Sequence, residues 1–375
     1  MIKSWAFEFF FASREIEEFI IGAGGNPDTT TCANYAAQIV PYFNAYLDLW
    51  ASAEKLGFDG LLLSEHHFGG GYSPSPNLLL PLIAQRTKNL RLGVMGMVLP
   101  YHNAWRLVEE VGMLDILTGG RLEVGTAAGI PGEFEKIGLP TAEARARNDE
   151  ALQILDAGLR NPVISHHGTY WNFDDLSLIP RPIQANIPVW TTVISVESAR
   201  KAARRGAKIA TGFIPTEQVK AVFDAYNEEA DKAGNPTGPD QLGLRRQVIF
   251  ELAEEGTAGR SGAYAEGFRN MIAQNDKRLA VPARKALDSP GTHSYTMGDD
   301  EFIGGTPEQV ADMIREQCEA TGAGHFQVVF AGDTTVQQLT RSWELYGTRV
   351  IPRLNGPQET SSSAQERVGA GTVEA

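Results

Sequence analysis

The feature that most constrains the fold is a regular alternation of short apolar segments with longer amphipathic ones. Short apolar runs bounded by turn-forming residues are typical of strands buried on both faces, as in parallel sheets covered by helices. Eight such strand–helix units in 375 residues predict a (β/α)8 barrel, that is, a TIM barrel with insertions. The absence of a strand–Gly-x-Gly-x-x-Gly–helix unit argues against a dinucleotide-binding sheet. The strands are predicted near Phe7, Leu62, Val94, Val124, Val189, Ile209, Ile249 and Val328.

The alternation predicts a single domain over residues 1–355 with one interruption. The stretch 253–303 is long and polar, and we interpret it as an insertion that forms a lid over the site. Residues 356–375 contain few apolar side chains and are predicted to be a disordered tail. Local signals further predict a loop over Ser13–Thr31, helices over Tyr42–Leu56 and Asn77–Thr87, and a surface hairpin over Val163–Ser177.

Composition excludes several classes of function. A formal net charge of -13 argues against a nucleic-acid-binding protein, which needs a basic surface. No run of ~18 apolar residues is present, so no membrane association is expected. The apolar start, Met1–Ala12, lacks a basic beginning and a cleavage site, and is interpreted as the first strand. Two cysteines, Cys32 and Cys318, do not make a disulfide framework and favour the cytoplasm.

Ionisable residues follow the second predicted strand directly. The apolar run Gly60–Leu63 ends in Ser64, Glu65, His66 and His67. In barrels of parallel strands the chemistry lies at the carboxyl ends of the strands, where these side chains are expected. Because strand side chains alternate, the two histidines are expected to point in different directions. One of them is expected to face the site, where a group that titrates near neutral pH can transfer protons, and the other to pack or to be solvated.

Two neighbours of His66 are further candidates. Glu65 could orient His66, or it could bind backbone groups only. His102 follows Pro100 at the end of the next predicted strand and could contact the cofactor or the substrate, although it could also be a cap partner. A metal site is disfavoured, because the adjacent histidines diverge and no His-x-x-x-His spacing occurs.

The order and spacing of several motifs resemble the flavin-dependent bacterial luciferase-like monooxygenases. The motifs are Ser64–Phe68, Leu92–Pro100, Leu114–Gly125, Pro188–Trp190, Ser195–Ser198 and Gly304–Glu308. The resemblance implies a TIM barrel that uses reduced FMN and O2 through a C4a-(hydro)peroxyflavin to oxidise an apolar organic substrate, such as a carbonyl compound. It also implies a separate flavin reductase and a homodimer.

The resemblance assigns roles to particular residues. His66 matches the family's active-site histidine, and Met95–Gly96, preceded by Val94, matches a non-prolyl cis peptide beneath the flavin ring. The phosphate is expected at Ser195, Ser198 and Arg145, with the start of the predicted helix at Gly304–Thr306 as a rival site. Trp190 is expected to line the cofactor pocket, together with Phe9, Phe11 and Tyr72. Luciferase has a cysteine and a phosphate-binding arginine where this chain has Ala127 and Ala128, so one phosphate contact is missing.

Two other functions stay open at this level. A relative of the same fold could use a deazaflavin cofactor for hydride transfer without oxygen. A non-catalytic flavin-binding subunit could also carry these motifs. The cofactor that the purified protein binds would separate the first of these from the monooxygenase.

Overall fold

The computed structural model describes residues 1–22, 27–68, 71–267, 298–333 and 335–356. Strands and helices alternate along most of this length. The strands are β1 Lys3–Glu8, β2 Gly60–Leu63, β3 Arg91–Val98, β4 Leu122–Ala127, β5 Val163–His167, β6 Asn172–Ser177, β7 Val189–Thr192, β8 Lys208–Thr211, β9 Leu242–Phe250, β10 Phe302–Gly305 and β11 His325–Phe330. The helices are α1 Arg14–Ile21, α2 Thr29–Lys55, α3 Leu80–Ala84, α4 Ala104–Leu117, α5 Pro131–Lys136, α6 Thr141–Arg160, α7 Val196–Arg205, α8 Thr216–Ala233, α9 Pro307–Thr321, α10 Val336–Leu345 and α11 Ile351–Asn355.

Eight parallel strands close into a barrel, which confirms the predicted fold class. Their order around the barrel is β1, β2, β3, β4, β7, β8, β9 and β11, and β11 pairs with β1. Each of these strands contains or borders one of the predicted strand positions. The strand β10 was not predicted: it pairs in parallel with β9 from Gln247 onward, beyond the part of β9 that pairs with β8.

Side-chain alternation builds two apolar layers. On β1, Trp5 and Phe7 point into the barrel, where they pack with Leu62, Met95 and other inward side chains. Their neighbour Ala6 points outward into the larger core between strands and helices. A strand buried on both faces needs apolar residues at nearly every position, which is why the barrel strands appear as continuous apolar runs in the sequence.

The amino-terminal region differs from the prediction. The segment expected to be a loop over Ser13–Thr31 contains α1 and the start of α2. Ser13 caps α1 by accepting the amide of Ile16, and Asp28 caps α2 by accepting the amide of Thr31 at 2.7 Å. α2 therefore begins well before the predicted Tyr42 and runs through Pro41. The prediction was wrong because composition outweighed these two capping signals.

Other local predictions had mixed outcomes. The helix expected over Asn77–Thr87 is reduced to α3 after a short 3-10 turn. The hairpin is confirmed by the antiparallel pair β5–β6. The predicted insertion ended at residue 303, whereas β10 already begins at Phe302. Residues 268–297 of that insertion, and the predicted tail from 357 onward, lie outside the described residues. Within the described ranges, no helix combines the length and apolar character needed to cross a bilayer.

Candidate active site

Three neighbouring strands deliver ionisable side chains to one end of the barrel. Glu65, His66 and His67 follow β2, His102 follows the turn after β3, and Glu133 lies on α5 after β4. Since β2, β3 and β4 are adjacent and parallel, their carboxyl ends meet at the same edge. The side chains form two hydrogen-bonded groups there, each centred on a buried glutamate.

Glu65 is the centre of the first group. Its side chain is buried and accepts Nε2–H from His67 at 3.1 Å and Nε2–H from His102 at 3.0 Å. The backbone amide of Val98 donates at 3.1 Å to Oε2 of Glu65, the oxygen that also binds His102. Glu65 thus ties the loop after β2 to the end of β3. Sequence analysis left open whether Glu65 orients His66 or binds backbone groups. The structure shows it bound to His67, His102 and the backbone of Val98, and not to the His66 side chain.

Glu133 is the centre of the second group. It is buried, and its Oε1 atom accepts Nδ1–H from His66 at 3.2 Å and the backbone amide of His67 at 3.1 Å. Tyr101 donates its hydroxyl to Oε2 at 3.4 Å. The two adjacent histidines therefore bind different carboxylates, as expected from side-chain alternation after a strand.

Electrostatics keeps both glutamates ionised. Burial alone would raise the pKa of Glu65, but the hydrogen bonds from His102 and His67 outweigh it, so that its pKa lies below the usual 4.5. Burial is likewise outweighed at Glu133, where the donors on His66 and His67 lower the pKa of the carboxyl group. The hydrogen bond to Glu65 raises the pKa of His67. Each glutamate therefore acts as an acceptor for N–H groups of the neighbouring loops.

His66 differs from the other two histidines of the site. Its side chain is 33% exposed, and among the described residues its Nε2 atom has no hydrogen-bond partner. The Phe9 ring lies 5.7 Å from the imidazole ring, centroid to centroid. His66 thus combines an anchored Nδ1 atom with an open Nε2 atom beside an apolar surface, which suits proton transfer to a bound molecule.

Aromatic rings extend from the barrel interior to the surface next to His66. Phe9 contacts Phe7 edge-to-face at 5.1 Å and stacks with Phe11 at 5.2 Å. Phe11 is exposed, so the row of rings reaches solvent. Tyr72 belongs elsewhere: it donates its hydroxyl to Glu17 at 2.7 Å and packs against Phe10 and Phe43.

Trp190 lies deeper in the barrel than the sequence suggested. Its indole N–H donates to Glu123 at 2.6 Å, and its ring contacts Trp5, His325 and the ammonium group of Lys208. Lys208 and His325 are the first residues of their strands. The ring of Trp190 therefore points toward the amino ends of the strands, and we do not include it in the candidate site.

The segment expected beneath a flavin ring lies on β3. The Met95–Gly96 peptide is cis, as the resemblance implied. Met95 belongs to the interior cluster, whereas Val94 packs in the outer core. At Gly96 a Cβ atom would lie 2.5 Å from the carbonyl carbon of Thr126, so no larger residue fits without moving β4. The Val94 side chain therefore packs between the barrel and the helices, whereas the Met95 side chain faces the barrel interior.

The expected phosphate-binding residues lie at the start of α7. Ser195 is the N-cap, and its hydroxyl lies 2.9 Å from that of Ser198, with which it forms a capping box. The expected partner Arg145 is exposed on α6. α6 and α7 run side by side in the same direction, because Asp149 pairs with Lys201 and Asp156 with Arg205. Arg145 is one helical turn before Asp149 and is thus on the side of the α7 N-terminus.

The rival phosphate site at the start of α9 is also a helix cap. The Thr306 hydroxyl accepts the backbone amide of Gln309, and the backbone amide of Thr306 donates to the Gln309 side chain. Pro307 is at the first helical position. Two arginines near this helix start, Arg349 and Arg353, pair with Glu308 in its first turn. Arg145 forms no such ion pair among the described residues, so we prefer the α7 start as the anion site.

These residues fit a flavin mononucleotide. An apolar surface is present at Met95 and Phe9, and a helix start, which favours an anion, is present at Ser195. The hydroxyl oxygen of Ser64, which continues the inward-facing series of β2, is buried and has no hydrogen-bond partner among the described residues. A polar ring edge of a bound cofactor would satisfy it. Among the described residues, no three His, Cys, Asp or Glu side chains are placed to hold a metal ion.

Sequence reasoning missed Glu133 and Tyr101. Both follow barrel strands, and Glu133 lies two residues after Pro131, the first residue of α5. Pro at a helix start shortly after a strand could have indicated that Glu133 is held at the carboxyl end of the barrel. Sequence analysis assigned no helix to this segment, so Glu133 was not considered as a site residue.

Comparison with known proteins identifies the family of this chain. The model of the luciferase-like monooxygenase family matches residues 23–325. The chain belongs to the luciferase-like monooxygenase family. It is 28% identical to the 4-hydroxyprotoasukamycin monooxygenase of Streptomyces nodosus subsp. asukaensis over 83% of this chain and 88% of the relative.

Solved structures of this family's fold bind two kinds of cofactor. The oxygenating constituent of 3,6-diketocamphane monooxygenase from Pseudomonas putida, in complex with FMN, covers 95% of this chain and all of its own, with a TM-score of 0.71 at 21% identity. An F420-dependent secondary alcohol dehydrogenase covers 95% of this chain and 99% of its own, with a TM-score of 0.64 at 15% identity. At these identities the two structures show the fold alone.

Proposed function

We propose that this member of the luciferase-like monooxygenase family is a flavin-dependent monooxygenase that uses reduced FMN and O2 to oxidise an apolar organic substrate. The observation that carries the proposal is His66. Its Nδ1 atom is held by a buried carboxylate, and its Nε2 atom is open beside Phe9 at the carboxyl end of a barrel strand. This arrangement suits a general acid or base that acts on a bound molecule.

Residues of the chain would hold the cofactor at two places. Ser195, Ser198 and Arg145 would bind the phosphate, since a helix start and a guanidinium group both favour an anion. Met95 and Gly96 would lie beneath the ring, where the side chain of Met95 is already buried in the barrel. When bound, reduced FMN supplies the electrons with which dioxygen is activated for transfer of one oxygen atom.

The chain's own contribution is proton handling and exclusion of water. His66 would take a proton from the reacting oxygen, or return one to it, through Nε2. Glu65 would keep His67 and His102 fixed, since its carboxylate binds both imidazoles and the backbone amide of Val98 at the end of β3. The rings of Phe9 and Phe11 would cover the reacting atoms with apolar surface and keep water away from them. The same rings support an apolar substrate, such as a carbonyl compound.

Further partners are part of the proposal. We propose that a separate reductase supplies the reduced flavin, since the similar Pseudomonas putida protein is the oxygenating constituent of its monooxygenase. A homodimer is supported by exposed apolar side chains on the neighbouring helices α3 and α4, namely Leu82, Met113, Ile116 and Leu117. The cytoplasm suits the two free thiols, Cys32 and Cys318.

The test begins without oxygen. The purified protein is titrated anaerobically with reduced FMN and, separately, with reduced F420, and the affinities are compared. The complex with reduced FMN is then mixed with O2 and a panel of aldehydes and ketones, while oxygen uptake, peroxide release and product are measured. Tight binding of reduced FMN with substrate-dependent product supports the monooxygenase. Preference for F420 overturns it in favour of a deazaflavin enzyme, and binding without product favours a non-catalytic flavin subunit.

His66→Ala separates the role of His66 from binding. We expect it to keep its affinity for reduced FMN and to lose on the order of 10²-fold or more in the rate of product formation. The matched control is His167→Ala, since His167 is an exposed histidine of the β5–β6 hairpin that pairs with Asp174. Equal losses in the two variants would contradict a role of His66 in the reaction.

A further inference from the structure

We propose that Glu133 is the positioning residue of this active site: it holds His66 in the tautomer with the proton on Nδ1, which leaves Nε2 unprotonated and without a partner among the described residues, beside the Phe9 ring. The proposal rests on the proposed function for its effect on turnover. The tautomer itself is a property of the protein alone.

The contacts of Glu133 determine which nitrogen of His66 carries the proton. The Nδ1 atom lies 3.2 Å from Oε1 of Glu133. Because a carboxylate can only accept hydrogen bonds, the neutral imidazole must present Nδ1–H to it. The hydrogen bonds that hold the pKa of Glu133 below its usual value keep it ionised at neutral pH. In free imidazole the proton resides on either nitrogen, so the tautomer here is imposed by the neighbour.

The same carboxylate also fixes the position of the ring. Its Oε1 atom accepts the backbone amide of His67 at 3.1 Å, and its Oε2 atom accepts the Tyr101 hydroxyl at 3.4 Å. The backbone segment that carries His66 is therefore bonded to the group that binds its ring. Phe134, the next residue on α5, is buried and contacts Tyr101 at 5.6 Å, which anchors that helix.

A second carboxylate keeps the other two imidazoles away from this role. Glu65 accepts Nε2–H from both His67 and His102, so neither of them has a free Nε2. The ionisable groups around His66 are thus Glu133 on α5, Tyr101 and His102 after β3, and Glu65 and His67 in its own loop. Of the three histidines, only His66 has its Nδ1 atom on a carboxylate and its Nε2 atom open. His66 is thus the imidazole available for proton transfer, whereas His67 and His102 serve as hydrogen-bond donors to Glu65.

The first test is spectroscopic and needs no cofactor, and a variant is used only to assign the signals. Long-range ¹H–¹⁵N correlation spectra of protein labelled with ¹⁵N-histidine are recorded at a pH at which the imidazole is neutral, and His66 is assigned through His66→Gln. We expect the Nδ1–H tautomer for His66 and the Nε2–H tautomer for His67 and His102. An Nε2–H tautomer of His66 would overturn the proposal, whatever reaction the protein catalyses.

The second test uses Glu133→Gln and Glu133→Asp. The amide of Glu133→Gln can donate to Nδ1, so we expect a mixture of tautomers at His66 and a fall in kcat on the order of 10²-fold. The KM for substrate and the affinity for reduced FMN should stay unchanged. Glu133→Asp keeps the charge and should restore the tautomer and part of kcat. The matched control is Glu135→Gln, because Glu135 is an exposed glutamate of the same helix.

The outcomes separate the two proposals. If the unsubstituted protein forms no product with reduced FMN and O2, the proposed function fails, and the tautomer spectra alone decide the role of Glu133. If the unsubstituted protein is active and Glu133→Gln has the same kcat and the same His66 tautomer, the role of Glu133 is refuted. If Glu133→Gln does not fold, the spectrum of the unsubstituted protein still decides between the two tautomers.

Discussion

Replacing Glu65 with glutamine should lower the free energy of unfolding. The size of this loss should depend on pH and be largest at intermediate pH. Glu65 accepts hydrogen bonds from His67, His102 and the amide of Val98 in a buried position. A glutamine places an NH2 group where one carboxylate oxygen stood, and it carries no charge. A hydrogen bond to a charged group contributes about 1.5–3 kcal/mol. We therefore expect Glu65→Gln to lower the free energy of unfolding by about that amount where the interaction is complete.

The pKa values of the two partners define the pH window. The folded pKa of Glu65 lies below 4.5, so its contribution is present above pH 4.5 and is lost as the pH falls through the folded value. The folded pKa of His67 lies above 6.5, so its contribution is complete below pH 6.5 and is lost as the pH rises through the folded value. The loss caused by Glu65→Gln should thus be largest between these two limits and smaller on both sides.

Urea unfolding followed by tryptophan fluorescence measures this profile at about pH 4, 5.5 and 9. The control is Glu143→Gln, since Glu143 forms a half-exposed i,i+4 pair with Arg147. This pair should contribute no more than about 0.5 kcal/mol at any pH. A loss for Glu65→Gln that is the same at all three pH values, or no larger than that of the control, would refute the coupling of Glu65 to His67.

Three further predictions concern other parts of the molecule. Arg145→Ala should weaken the binding of reduced FMN about tenfold, or about 1.4 kcal/mol. It should leave the affinity for riboflavin unchanged, because riboflavin lacks the phosphate. Equal losses for both ligands in titrations would contradict a phosphate contact. Burial raises the pKa of Glu8 from 4.5 to about 7. Ionisation of Glu8 therefore costs stability as the pH rises through this range. Glu8→Gln should thus be up to about 3 kcal/mol more stable than the unsubstituted protein at pH 8, with no gain at pH 4. Arg246 is fully buried and lies 3.0 Å from Glu301. Arg246→Met should therefore lower the free energy of unfolding in urea by about 3–5 kcal/mol, and adding Glu301→Gln should recover part of this loss. No recovery in the double variant would show that the two side chains are not coupled.

Local patterns predicted the scaffold well. The eight barrel strands lie at or directly beside the predicted positions because a strand buried on two faces must be apolar along its length, and this requirement is visible in any short window of sequence. The same patterns failed between Ser13 and Thr31, where glycine-rich composition hid two capped helices. Capping depends on one side chain at one position, so composition averages it away.

The site was predicted in part. Glu65, His66 and His102 follow strands in the sequence, and barrel topology predicts that they meet. Their pairing was not predictable: Glu65 binds His67 and His102, while His66 binds Glu133, which is 67 positions further along the chain. Trp190 was expected near the cofactor, but the direction of its ring depends on the packing of Trp5 and His325 inside the barrel.

By itself the sequence determined that strands and helices alternate, that the strands are buried, and that histidines and a glutamate stand at the end of the second strand. These properties follow from the period of side chains along a single segment. Only the tertiary structure decided which carboxylate each histidine binds, and so which imidazole nitrogen stays open. That choice depends on how the ends of β2, β3 and β4 are set beside one another in the closed barrel, where distances of about 3 Å join residues that the chain keeps far apart.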